Sequence, residues 1–268
     1  MSSLSRGLVL TALLVLMPKE EAMGRPGTLL SELTWVEAEK ILSPDTVVVI
    51  PLGAGAKEHG PHLKLKNDFL IAEYLRDRVL ETQAVVVAPT VNYGFYPAFV
   101  EYPGSTTLRL ETARDLIVDI SKSLARHGPR RFYVLNTGVS TVRSLKPAVE
   151  ILAKEGILLA YTDLIGILDP IEKEIAKQPG GTHADEIETS MMLVMAPDTV
   201  DMSKAVSDYH GNAPGGLTRD PKGPGIYSAS GVWGDATLAT LAKGEKLVAA
   251  LVAGIAKDIE LLTATKLP

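Results

Sequence analysis

One stretch of this chain concentrates residues able to hold a metal ion. It reads Pro51-Leu-Gly-Ala-Gly-Ala-Lys57-Glu58-His59-Gly60-Pro61-His62-Leu63, with Asp68 five residues on. Two of the chain's five histidines, His59 and His62, lie here beside Glu58. Imidazole and carboxylate are the ligands that suit zinc or manganese. A carboxylate such as Asp68 can also bridge two ions, which at about 3.5–4 Å apart clamp and activate a water. Gly53, Gly55, Gly60 and Pro61 would hold the loop tightly around such ligands. The plainer alternative is a helix cap by Asp68 and ordinary surface histidines.

A second cluster, Gly181-Thr-His183-Ala-Asp185-Glu186-Ile-Glu188-Thr189-Ser190, opens a run with helical spacing. His183 and Glu186, three apart, share a helix face if the helix has begun. A histidine with the carboxylates Glu186 and Glu188 can bind metal, bind a polar substrate or move a proton. Acidic residues also simply favour a helix N-terminus. Asn136-Thr137-Gly138-Val139-Ser140-Thr141 follows an apolar run, and its backbone N–H groups or hydroxyls could meet a carbonyl or an oxyanion. It lacks the Lys-Ser/Thr ending of a nucleotide-binding P-loop; ordinary turn capping is the alternative. Gly231-Val-Trp233-Gly234-Asp235 could set an indole and a carboxylate beside a ligand, or Trp233 could be plain packing.

The elements that must position these groups alternate. Apolar, β-branched runs at 46–51, 84–89, 131–135 and 158–162 read as buried strands. Helical spacing follows at 69–79, 107–127 and 145–155, and begins earlier at 30–41 with Trp35 on the apolar side. Alternation of this kind predicts an α/β protein, with a mostly parallel central sheet flanked by helices. Ligands of such sheets bind beyond the strand C-terminal ends, and the polar segments at 57–68, 136–141 and Asp163 all follow strands. Helices are also predicted at 189–195 and 245–262. The Gly- and Pro-rich segment 211–231 between them is a long loop suited to shaping a pocket with Tyr93, Tyr96, Arg143 and Arg219, or to a subunit contact.

Composition narrows the class further. The 268 residues include 46 % hydrophobic and 22 % charged, which is ordinary for a globular protein. No boundary or repeat divides residues 25–268, so they are expected to form one domain. The net charge of −5 and the absence of a basic block argue against nucleic acid. With no cysteine, thiolate metal sites, disulfides and cysteine nucleophiles are excluded. Arg6 precedes the apolar run Gly7–Met17, too short to span a membrane. It suits a signal or flexible leader over 1–24, with a periplasmic or secreted location expected and a cytoplasmic one as the alternative.

These motifs together resemble the creatininase (creatinine amidohydrolase) family. The first cluster is similar to Pro-x-Gly-Ser-x-Glu-Gln-His-Gly-Pro-His-Leu followed by Asp, and the second to His-Ala-Gly-Glu-x-Glu-Thr-Ser. Pro103-Gly104-Ser105-Thr106 and Gly231 to Asp235 resemble the family's Pro-Gly-Thr and Gly-Val-x-Gly-Asp segments, in the same order, over roughly residues 30 to 255. The resemblance implies a three-layer α/β sandwich, often a homohexamer, with a site for two divalent ions and hydrolysis of amide-like C–N bonds in small molecules. It implies His59, Asp68 and Glu188 as metal ligands, and His183 on the substrate or proton-handling side.

Two departures stand out. Aligned back from His59, the family's first glutamate ligand falls on Lys57, with Glu58 one place late. The family's Asn-Gly-His becomes Asn136-Thr137-Gly138, and glycine offers no ligand. One ion instead of two, a compensating ligand from Asp163 or Glu186, or no metal at all are then open. The expected function is metal-dependent hydrolysis of a small cyclic amide, amide or formamide. A metal-free lyase or isomerase using His183 and Glu188, and a non-catalytic binding protein, are the alternatives.

Overall fold

Two mostly apolar runs, 47–52 and 131–136, are buried at every position, the polar ends Arg131 and Asn136 included, and form the centre of the protein. The computed structural model describes residues 26–210 and 215–267; the expected leader and part of the Gly/Pro-rich loop lie outside them. In chain order come β1 (Thr28–Leu29), α1 (Trp35–Ile41), β2 (Val47–Leu52), α2 (Asn67–Thr82), β3 (Val86–Val87), α3 (Leu110–Ala125), β4 (Arg131–Asn136), α4 (Val142–Ala153), β5 (Leu158–Tyr161), α5 (Leu164–Ile175) and α6 (Glu186–Met195). Four two-residue strands follow, β6 (Ser207–Asp208), β7 (Leu217–Thr218), β8 (Ile226–Tyr227) and β9 (Gly234–Asp235), and then α7 (Leu241–Ala264).

Strands β1 to β5 form one parallel sheet in the order β1-β3-β2-β4-β5. Successive side chains of a strand point to opposite faces, and each face builds its own core. Val47, Val49, Tyr133 and Leu135 pack with α2, α5, α6 and α7. Val48, Ile50, Phe132 and Val134 pack with α3 and α4. This is the parallel sheet flanked by helices that the sequence pattern predicts, in the three-layer sandwich that the family resemblance implies. Pro51 is tolerated inside the central strand because its carbonyl accepts from Val91 N–H, on the edge where β3 has already ended. The missing N–H therefore costs no bond to β4.

Several elements depart from expectation. The predicted helix 30–41 is a 3₁₀ turn, Leu30–Glu32, followed by α1, because Thr34 caps α1 in a reciprocal box with Glu37. Trp35 is 76 % exposed instead of facing the core. Helix α5 was not predicted; Gly166 and Pro170 within it weaken the helical signal. Helix α6 starts earlier than expected, since Asp185 accepts the N–H groups of Ile187 and Glu188 as its cap. No described helix is long and apolar enough to cross a membrane.

Candidate functional site

Strands β2 and β4 end on the same rim of the sheet, and the polar loops that follow them meet there the first turns of α2 and α6. Close packing brings the loop in: a Cβ on Gly53 would collide with the backbone of Asp68, so only glycine lets the end of β2 lie against α2. Asp68 and Glu188 thus sit in the first turns of two helices, where the helix dipole favours a negative charge.

His59 is at the centre of the cluster. Its Nδ1 is 2.9 Å from the Lys57 carbonyl, which can only accept, so Nδ1 carries the hydrogen. That leaves Nε2 facing two carboxylates, Asp68 Oδ1 at 2.8 Å and Glu188 Oε1 at 3.3 Å. Burial opposes charge on this imidazole, but Asp68 and Glu188 outweigh it and hold its pKa up to about 9. Asp68 stays below the usual carboxylate range: burial would raise it, and Lys57 and His59 overcome that. Glu188 is held well below its ordinary value against the same penalty, chiefly by His59. Asn67 Nδ2 and the Ala184 N–H also donate to Glu188, at 3.0 and 2.8 Å. Ala184 takes a positive φ of 49° to do so, backbone strain located at the cluster.

His183 completes the arrangement. Its Nε2 lies 2.9 Å from the Glu58 carbonyl and 3.1 Å from the Glu58 carboxylate, and Nδ1 is 3.7 Å from Glu188 Oε2. An antiparallel bridge to Trp233 fixes its backbone. Its ring lies against that of Phe99, with centroids 4.3 Å apart and the planes tilted by 41°. A cavity of about 430 Å³ opens beside it, within the range of roughly 300–1,000 Å³ typical of small-molecule sites. Lys57, Thr137 to Ser140, His183, Glu188 and Trp233 line it, with Ile165 and Leu168 of α5 as an apolar wall. His59 and Asp68, each 1 % exposed, lie just behind Glu188 and Lys57.

The donor set fits a divalent ion. His59, His183 and Glu188 each offer a ligand atom, all within 4.8 Å of one another, and Asp68 reaches the same His59 nitrogen. An imidazole whose outer N–H is fixed by a carbonyl, with its other nitrogen turned to carboxylates, is the arrangement that orients a metal-binding histidine.

Other expected members of the site have different partners or lie elsewhere. Glu58, expected as a ligand, turns its carboxylate to His183 and to the Gly60 N–H, as its one-place offset in the loop dictates. His62 instead pairs with Thr189 Oγ1 at 2.8 Å. Glu186, expected to act in catalysis, is fully buried and committed to the N–H groups of Lys177 and Gln178 and to Lys243. Asp163, the expected compensating ligand, is exposed at the N-terminus of α5 and joins neither the cluster nor the cavity lining. The turn after β4 is largely spent on itself. Asn136 bonds Gly138 and Thr162, Thr137 bonds the Leu52 carbonyl through both its N–H and its hydroxyl, and Ser140 donates to the Phe95 carbonyl. These side chains are held by the surrounding backbone, while Thr137 to Ser140 line the cavity.

The sequence reading missed Asn67, Phe99, Asp185 and the α5 wall. Asn67 is adjacent to Asp68, so a second polar group at that helix start was the available signal. Phe99 and α5 carried none, being apolar residues brought in by the fold.

A three-layer α/β sandwich carrying a carboxylate–imidazole cluster on the rim of its sheet, beside a small cavity, defines a metallohydrolase type of centre. Comparison with known proteins makes this specific: residues 31–259 match the creatininase family, described as creatinine amidohydrolase, and the chain belongs to that family of hydrolases. It is 30 % identical over 247 residues to the creatinine amidohydrolase of Pseudomonas putida, covering 85 % of this chain and 94 % of that one. It is 29 % identical over 224 residues to a mycofactocin precursor peptide peptidase of Mycolicibacterium smegmatis, covering 80 % and 84 %. Among solved structures, a creatinine amidohydrolase superposes with a TM-score of 0.76 at 28 % identity, over 89 % of this chain and 98 % of that one. A manganese creatininase superposes at 0.74 with 27 % identity, over 88 % and 99 %.

Proposed function

We propose that this chain hydrolyses a C–N bond in a small cyclic amide, amide or formamide, using a divalent ion, zinc or manganese. The observation that carries the reading is His59 Nε2 turned to two carboxylates directly behind a cavity of small-molecule size. Two relatives whose names describe amide-bond hydrolysis, of creatinine and of a peptide, support the bond class.

His59, Asp68 and Glu188 would hold the ion; His183, the third donor of the converging group, is assigned here to the proton instead. Bound there, it would supply Lewis acidity and a water nucleophilic near neutral pH. The chain's own groups do the rest. Lys57 carbonyl locks His59 in the tautomer with Nε2 available. Glu58 and its carbonyl keep a hydrogen on His183 Nε2, so Nδ1 is the nitrogen free to accept a proton across from Glu188. His183 and Glu188 both line the cavity, and together they carry a proton from water to the leaving nitrogen. Trp233, Phe99 and the α5 wall exclude solvent and present a mostly apolar surface to the body of the substrate.

The test is metal analysis of purified protein, joined to a panel of lactams, amides and formamides followed by release of amine or acid. Turnover is expected to vanish on chelation and return with zinc or manganese. Protein that carries no divalent ion, and whose activity and melting temperature ignore chelators and added metal alike, would sink the metal-dependent reading.

A further inference from the structure

The two oxygens of Asp68 face different cationic groups. Oδ1 meets His59 Nε2 at 2.8 Å, and Oδ2 meets Lys57 Nζ at 2.7 Å. Both members of the second pair are buried, Lys57 at 5 % and Asp68 at 1 % exposure. A carboxylate that bridges two metal ions gives one oxygen to each; here the seat on Oδ2 is taken by an ammonium tied covalently to the chain. The rings of Phe99 and Tyr96, centred 4.9 and 5.6 Å from Nζ, surround it as aromatic faces surround a cation. Nearby Gly138 has no side chain with which to build a second set of ligands. Among the described residues, one group of three histidine or carboxylate donors converges, that of His59, His183 and Glu188. Among the described residues that line the cavity, Lys57 is the one lysine or arginine.

We propose that the Lys57 ammonium is a built-in replacement for a second divalent ion, so that the site takes one ion and not two. The inference rests on the metal-dependent reading above and limits it. An ammonium 2.7 Å from Oδ2 and a divalent ion at the same oxygen repel each other at close range in a poorly screened interior. Lys57 cannot leave without stranding a buried carboxylate, whereas an ion can be stripped by a chelator. One positive charge of the cluster, that of Lys57, is therefore permanent, and the two carried by the ion are exchangeable.

The experiment counts metal. Full-length protein is stripped, reloaded with zinc or manganese, desalted and assayed by mass spectrometry of the metal, with affinity from calorimetric titration. One equivalent per chain is expected for the natural chain and for Lys57→Arg, which keeps the charge. Lys57→Met removes the repelling charge and is expected to bind its ion on the order of tenfold more tightly, while melting lower than the natural chain when metal-free. Two equivalents in the natural chain or in Lys57→Arg overturn the proposal and leave the hydrolase reading standing. None, with chelator-indifferent turnover, overturns both. Weaker binding by Lys57→Met would show that Lys57 supports the bound ion instead of standing in for a second one.

Discussion

Five carboxylates and imidazoles gather within a few ångströms here, and their partners separate their roles. His183 reaches the cavity through Nδ1, while its Nε2 is occupied by Glu58. If it moves a proton, His183→Ala should cut kcat by about 10²–10⁴-fold, the usual worth of a positioned acid–base group. The metal content should be unchanged. Loss of the ion in this variant would make His183 a ligand instead. Glu186 supplies the contrast. It is buried among two backbone N–H groups and Lys243, away from the cavity. Glu186→Gln should destabilise the fold by about 1–3 kcal/mol in urea unfolding, through a weakened buried hydrogen-bonded pair, and leave kcat of the folded fraction within about twofold. A large fall in kcat without a fall in stability would restore Glu186 to the chemistry. Sequence spacing placed Glu186 and His183 on one face, which is sound helical geometry. It failed because His183 precedes the helix: Asp185 is the cap, and Glu186 is the first residue inside.

At the level of elements, the segment from β8 to β9 closes over the site without contributing a charge to it. Gly231 sits at φ 81°, and a Cβ there would run into the Glu58 carboxylate. Gly231→Ala should therefore push Glu58 off His183 as well as strain the backbone. A loss of roughly 1–3 kcal/mol in stability is expected, together with a fall in kcat larger than the stability loss explains. Gly156→Ala is the control. Its φ is 69° but open space surrounds it, at the end of α4. It should cost about 1–2 kcal/mol of backbone strain and leave the kinetics alone. Equal kinetics in the two variants would mean that the Gly231 segment does not hold Glu58 in place. Such loops were only partly legible in the sequence. Gly231 to Asp235 could be picked out by its spacing, but a two-residue strand pairing across the chain, such as β6 with β9, leaves no periodicity to read.

For the molecule as a whole, the sandwich was legible because β2, β4 and the helices around them carry strong, uninterrupted patterns. The parts that stayed hidden, β1 and α5, are a strand of two residues and a helix broken in pattern by Gly166 and Pro170. The rim cluster is visible as residue types, but not as a charge balance, since the spacing marks Lys57 as a lost ligand and carries no sign that its ammonium pairs with Asp68. That balance governs how stability varies with pH. In the metal-free protein His59 titrates at about 9 against 6.5 when unfolded, so its contribution is complete below pH 6.5 and is lost as pH rises through about 9. Asp68 and Glu188 are shifted down from 3.8 and 4.5, so theirs is present above those values and lost as pH falls through the folded pKa values. Metal-free protein should accordingly melt highest between about pH 4.5 and 6.5 and progressively lower toward pH 9. An ion bound at Nε2 must displace the same proton, so its affinity rises over this upper range. The gain in melting temperature on adding zinc should therefore widen from pH 6.5 to about 9. Thermal unfolding with chelator and with zinc, across that range, measures both trends. A metal-free melting temperature that stays flat through it would mean that no proton sits between His59 and its two carboxylates.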